Sequence, residues 1–146
     1  MCIRDREYED FYKEGGIIIA DRYATSNMVH QASKIHNEID RNKFLDWLWN
    51  LEFEIYQIPV PTQVFFLDIK PEISIELMNN RENKFSHEQL KDIHETKVSH
   101  LIDSYNNAVG LIEKYHWEKI DCTNENGIKK IDEINQLIYD KLIKYI

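Results

Sequence analysis

Glycine is scarce in this sequence, with four residues among 146, and Gly15-Gly16 is its only adjacent pair. Neither a low-complexity stretch nor an internal repeat occurs, which excludes glycine-rich and solenoid architectures. Cysteine is scarcer still: Cys2 and Cys122 are too few and too far apart for a disulfide framework. A reducing, cytoplasmic setting is therefore expected. No apolar run approaches the roughly 20 residues that a membrane-crossing helix needs, so no membrane partner is expected. Met1–Arg6 has no apolar segment of the secretory-leader kind. Positive charge is in deficit as well. The 18 Lys and Arg residues against 26 Asp and Glu leave a net charge of −8. That balance argues against nucleic acid as the main partner, because phosphate backbones select basic surfaces. It leaves nucleotides open, since such a pocket needs only a few cations and backbone N–H groups.

What is present suits one soluble domain: 42% apolar and 30% charged residues in a chain long enough for a sizeable core. Tyr8–Glu14 reads as a helix end, and Gly15-Gly16 as the turn after it. Ile17-Ile18-Ile19-Ala20, apolar and β-branched, predicts a strand buried on both faces, with Asp21 at its end. Thr25 or Ser26 can cap a helix carrying Met28, Val29, Ala32, Ile35 and Ile39. A second helix presents Phe44, Leu48, Leu51, Ile55 and Ile58, and Pro59-Val60-Pro61 stops it. Val64–Leu67 predicts another strand, and Pro71 the first turn of a helix with Ile73, Leu77 and Met78. After a polar stretch over Asn79–Phe85 comes a long helix from about Glu88 to Tyr115. Leu90, Ile93, Lys97, Leu101, Tyr105, Ala108 and Ile112 lie near one face of it. Trp117–Cys122 predicts a strand and Lys129 onward a last helix. Strands alternating with helices imply an α/β fold with a parallel sheet. Ligands of such sheets gather at the C-terminal strand ends, where Asp21, Asp68 and Asp121 lie.

Asp21-Arg22-Tyr23 leaves the first predicted strand and enters a loop before a capped helix. An arginine fork there can clamp a phosphate, and a carboxylate beside it can organise hydrated Mg²⁺ or orient a second arginine. The tripeptide alone fits a salt-bridged loop equally well. His87, His94 and His100 have neither cysteine neighbours nor His-Glu-x-x-His spacing, so no residue is assigned directly to a metal. Trp47 and Trp49 point to different helix faces, which leaves one of them to cover a partner surface.

The segment Gly16–Gln31, with Asp21-Arg22-Tyr23 and Ser26-Asn27 at its centre, resembles the signature of bacterial thymidylate kinases. The likeness continues in Leu45–Phe53, in Pro59-Val60-Pro61, in Phe66–Glu72, in Arg81 and in Asp92–Glu95. The resemblance implies a three-layer P-loop kinase fold that transfers the γ-phosphoryl group of ATP to dTMP with Mg²⁺, in dTTP biosynthesis. By position, Arg22 would bind the dTMP phosphate and Asp21 would organise the phosphate and metal region. Ser26 belongs to the same dTMP-binding set. Asn27 would meet the thymine edge, with Gln31 a further candidate for the base, and His30 would lie near the deoxyribose. Arg81 would open a lid over about 79–95, whose cations stabilise the transferring phosphoryl group. This lid departs from the arginine-rich pattern of several relatives, with Asn83-Lys84-Phe85-Ser86-His87 in its place. Thr123-Asn124 falls where the family contacts adenine. A homodimer packed through helices of the Trp47 region is also implied.

No Gly-x-x-x-x-Gly-Lys-Ser/Thr occurs anywhere in the 146 residues. That loop cradles the ATP phosphates and supplies the lysine and the Mg²⁺-binding hydroxyl. In the family it precedes the Asp-Arg-Tyr strand and lies on a strand between that one and the Phe66 strand. The aromatic residue that stacks on thymine and an arginine of the preceding helix are also missing from the pattern. Met1–Arg6 matches no part of it, so an N-terminally truncated single domain, inactive and poorly folded or aggregation-prone alone, is expected. Two other readings remain: a P-loop kinase for another nucleotide or deoxynucleoside, or a non-catalytic dimerising module derived from one.

Overall fold

A computed structural model describes residues 8–82, 91–125 and 127–146. The chain opens with a short helix, α1 (Glu9–Lys13). It ends in a glycine cap: Gly15, at φ 88°, and Gly16 donate their N–H groups to the carbonyls of Tyr12 and Phe11. This is the closing pattern that orphan helix carbonyls select, and its left-handed position favours glycine. Ile17–Ala20 comes next but has no strand pairing. Ile17 and Ile19 are 54% and 78% exposed. The predicted buried strand is thus corrected: strand structure needs a ladder partner, and among the described residues this segment has none.

Helix α2 (Thr25–His30) follows, continued by a 3₁₀ turn at Ala32–Lys34. Ala24 stands at its N-cap without a side-chain hydrogen bond, so neither Thr25 nor Ser26 serves as the cap. Thr25 is instead buried. The single helix predicted to reach Ile39 breaks at Ile35, whose backbone turns extended. Asn37 then caps α3 (Glu38–Trp49) by accepting the Asp40 N–H at 3.1 Å. Ile39 becomes part of α3 and is exposed.

Past Trp49 the helix widens into a π-helical stretch at Asn50–Ile55, where Tyr56 N–H reaches the Leu51 carbonyl five residues back. Strand β1 (Phe65–Asp68), helix α4 (Pro71–Glu82), the long helix α5 (Lys91–Tyr115) and strand β2 (Glu118–Asp121) then follow. β1 and β2 pair in parallel with Asp68 opposite Asp121. A small antiparallel hairpin that no sequence pattern announced, β3 (Thr123–Asn124) with β4 (Gly127–Ile128), leads into α6 (Ile131–Leu142). The result is a mixed helix-and-strand fold with a small parallel sheet.

The core lies where α2, α3 and α5 meet. Met28, Ala32, Leu45, Leu48, Leu111 and Trp117 are buried together, with Trp49 stacked on Tyr115 at 5.4 Å beside them. At the end of β2, Cys122 is fully buried, its thiol aimed at the Ile120 carbonyl at 3.4 Å. On β1, Asp68 accepts a hydrogen bond from Tyr105 of α5 at 2.9 Å and pairs with Lys119 of β2 at 3.0 Å. No helix among the described residues is long and apolar enough to cross a membrane.

Candidate functional site

The burial of α2 sets the directions of the residues around it. Thr25, Met28 and Ala32 turn into the core. At about 100° per residue, Ser26 and His30, four apart, fall on one flank of the helix, and Asn27 falls on its outer side; Arg22 precedes the helix and meets that flank through Ser26. The contacts follow this division. Arg22 Nε donates to Ser26 Oγ at 3.0 Å. His30 Nδ1 lies 3.4 Å from Ser104 Oγ, and Ser104 Oγ lies 3.3 Å from Ser33 Oγ. The imidazole of His30 is thereby turned toward α5, with its centroid 6.0 Å from that of His100. Partial burial, then the charges of Arg22, His100 and Lys34, hold its pKa below the ordinary 6.5.

Arg22 has φ 71°, a backbone conformation that non-glycine side chains rarely adopt. Its placement is fixed on both sides. Tyr23 donates its hydroxyl to the Pro59 carbonyl at 2.9 Å, which ties the loop to the proline stretch. On the other side, Asn107 of α5 donates to the carbonyls of Met28 and Val29, both at 2.8 Å, and fastens α2 to the long helix.

Asn27 lines a cleft of 310 Å³ with Tyr8, Tyr23, Glu52 and Tyr56. Gln31 is exposed and accepts a hydrogen bond from Lys34 at 2.9 Å. A larger cleft, of 560 Å³, opens between α3 and α5 around Arg41, Asn42, Asp103 and Lys114, and contains none of the site residues expected from the sequence. Its volume does not make it the chemical centre, because Lys114 is engaged by Asn42 at 3.1 Å and by Asp46 at 3.7 Å. Arg81 stands in the last turn of α4, and its side chain lies outside the described residues, as do the other side chains of the 79–95 stretch and the whole of residues 83–90.

Three carboxylates sit at or near the ends of strand-like segments. Asp68 is held by Tyr105 and Lys119. Asp121 accepts from the N–H and the hydroxyl of Thr123, which hold its pKa below the ordinary carboxylate value. Asp21 is exposed beside Arg22 and makes no side-chain hydrogen bond among the described residues. No group of three or more potential metal ligands occurs among the described residues. A cation carrying its own phosphate and water ligands needs only one or two protein carboxylates, and Asp21 fits that demand. Thr123 and Asn124 form β3 just beyond Asp121, with Lys129 Nζ on the Asp121 carbonyl at 2.7 Å. The α2–α5 fastening by Asn107, Ser104 and Ser33 was not anticipated from the sequence. Its one signal is the polar run His100, Ser104 and Asn107, which continues to the buried Leu111 at helical spacing.

A family model described as thymidylate kinase matches residues 4–119. A thymidylate kinase of Rickettsia rickettsii (strain Sheila Smith) is 32% identical over 75 residues, covering 50% of this chain and 34% of the relative. One from Rickettsia canadensis (strain McKiel) is 33% identical over 75 residues, with the same coverage. The matched stretch thus spans about a third of the length of these curated relatives. No solved structure matches the chain.

Proposed function

Since the chain belongs to the thymidylate kinase family, we propose that its α2 flank is the acceptor half of a phosphotransfer site, taking dTMP as substrate and ATP as donor. The observation that carries this reading is Arg22. Its Nε is bound to Ser26, its backbone holds a left-handed turn, and its side chain is exposed. A guanidinium restrained at Nε presents its two terminal nitrogens as a fork, which matches two oxygens of a phosphate. In this reading Asn27 meets the thymine edge from the tyrosine-lined cleft. Asp21 faces the Mg²⁺ that accompanies ATP; the ion would supply charge neutralisation on the phosphates. Gln31, paired with Lys34, takes a smaller part in base recognition. His30, turned toward Ser104, closes the sugar side of the site from α5. Arg81 and the lid supply cations, and Thr123-Asn124 the adenine side.

The small parallel sheet is read as part of a three-layer α/β kinase domain. Because the 146 residues contain no phosphate-cradling loop, we assign them dTMP binding and no phosphoryl transfer on their own. Trp47, 56% exposed on α3, is the surface assigned to a second copy of the chain. A cytoplasmic location follows from the same reading.

Calorimetric titration with dTMP, dCMP and AMP tests the assignment. Binding of dTMP ahead of the other two is expected. Arg22→Ala should weaken dTMP binding by ~100-fold, equivalent to about 2.7 kcal/mol for one lost phosphate clamp. An unaffected affinity in that variant would remove Arg22 from the site.

A further inference from the structure

Ser26 lies one residue before Asn27 and four after Arg22, so its hydroxyl could serve the nucleotide or the arginine. We infer that it serves the arginine: Ser26 is a positioning residue whose hydroxyl sets the plane of the Arg22 guanidinium and makes no contact with the nucleoside. This deepens the acceptor-site reading above and rests on it.

Three observations converge. The Ser26 hydroxyl already accepts Arg22 Nε at 3.0 Å. An Arg side chain has five N–H donors in a fixed fork, and binding Nε from one side leaves the terminal edge to a ligand. The terminal nitrogens of Arg22 make no hydrogen bond among the described residues, so that edge is available. The second observation is the backbone. Arg22 stands at φ 71°, in the left-handed region, while its side chain reaches Ser26 in the first turn of α2. Strained conformations of this kind persist where neighbouring contacts hold them. The third is the division of faces around α2. Asn27 lines the cleft with Tyr23 and Tyr56, whereas Ser26 shares the flank of Arg22 and His30. In the acceptor-site reading, the Ser26 hydroxyl then lies on the side of the phosphate-binding arginine and outside the cleft that Asn27 lines.

An exposed arginine has many rotamers, and ordering it on binding opposes affinity. Prior restraint at Nε removes part of that cost from the binding step. Ser26 should therefore influence affinity only through the phosphate.

The test uses the 146-residue chain labelled with ¹⁵N, with two ligands, dTMP and thymidine, the latter lacking the phosphate. Ser26→Ala should weaken dTMP binding about tenfold and leave thymidine binding unchanged. Ser26→Thr, which keeps the hydroxyl, should restore dTMP binding. In an Arg22→Lys background, which has no Nε, adding Ser26→Ala should change nothing further. The Arg22 Nε–H resonance reports the contact directly: its solvent exchange should accelerate in Ser26→Ala and not in Ser26→Thr. Equal losses for dTMP and thymidine would assign Ser26 to the nucleoside and overturn the inference. So would an unchanged Nε–H signal, or an unchanged dTMP affinity, in Ser26→Ala. If the wild-type chain binds no dTMP, the acceptor-site reading falls and this one falls with it.

Discussion

His30 is held between two helices by groups that all disfavour its charge. Burial takes water from the imidazole, and Arg22, His100 and Lys34 add positive potential. Ser33 and Ser104 around it are neutral. The folded chain therefore takes up the proton at a lower pH than the unfolded chain does. Above the ordinary value of 6.5 both states are neutral here and His30 contributes no pH dependence. As pH falls through that value the unfolded chain protonates first, so stability declines until the folded-state value is passed. Denaturant unfolding between pH 8 and pH 5 should show this loss, and His30→Asn should flatten it. NMR titration of the ring should place the midpoint below the ordinary value, and Arg22→Ala should move it upward. A midpoint that ignores Arg22 would mean that the two side chains do not share the flank. The residue types of this site were legible in the sequence, because Asp21, Arg22 and Asn27 follow a motif. The contacts around them were not: the hydrogen bond from Arg22 to Ser26 and the approach of His30 to Ser104 of α5 depend on the turn at Arg22 and on packing between distant elements.

Several elements whose cause is local were legible, whereas contacts that depend on distant chain were not. Val64–Leu67 and Trp117–Cys122 carry their own apolar patterns, and β1 and β2 form within a residue or two of them. Pro71 starts α4 and the glycine pair closes α1 for reasons contained in a few residues. The break at Ile35 was missed because Ile35 and Ile39 keep helical spacing, while Asn37, a strong N-cap residue, lies between them. The polar stripe of α5 acquires its meaning only from α2, more than seventy residues earlier in the chain. There Asn107 is the link whose removal should be felt most. Asn107→Ala leaves the Met28 and Val29 carbonyls without their side-chain donor. A cost of about 1–2 kcal/mol is expected in chemical denaturation. Amide hydrogen exchange should quicken across α2 before it does in β1 and β2. Uniform quickening throughout the chain would show that α2 has no separate dependence on α5.

At the scale of the whole molecule, the described fold divides into a well-buried side and an uncovered one. The helical core around Met28, Leu48 and Leu111 excludes water. Ile17, Ile19 and Leu67 remain 54%, 78% and 48% exposed, and β1 pairs with β2 alone among the described residues. Exposed apolar residues and a strand edge without a partner among the described residues favour association. That Ile17–Ala20 forms no strand among the described residues was unreadable for the same reason: its apolar run specifies what could pair, and pairing is decided by what lies beside it. Cys122, just past β2, is by contrast fully buried, and its thiol pKa is raised by burial. A thiol both inaccessible and protonated is inert to alkylating reagents until the structure around it opens. Modification of Cys122, followed by mass spectrometry of its own peptide, is therefore a clock intrinsic to the chain. Its rate should level off as iodoacetamide concentration rises, at the opening rate of the β2 end. If the rate instead rose in proportion to reagent without limit and matched that of a free thiol, Cys122 would have to be in water from the start.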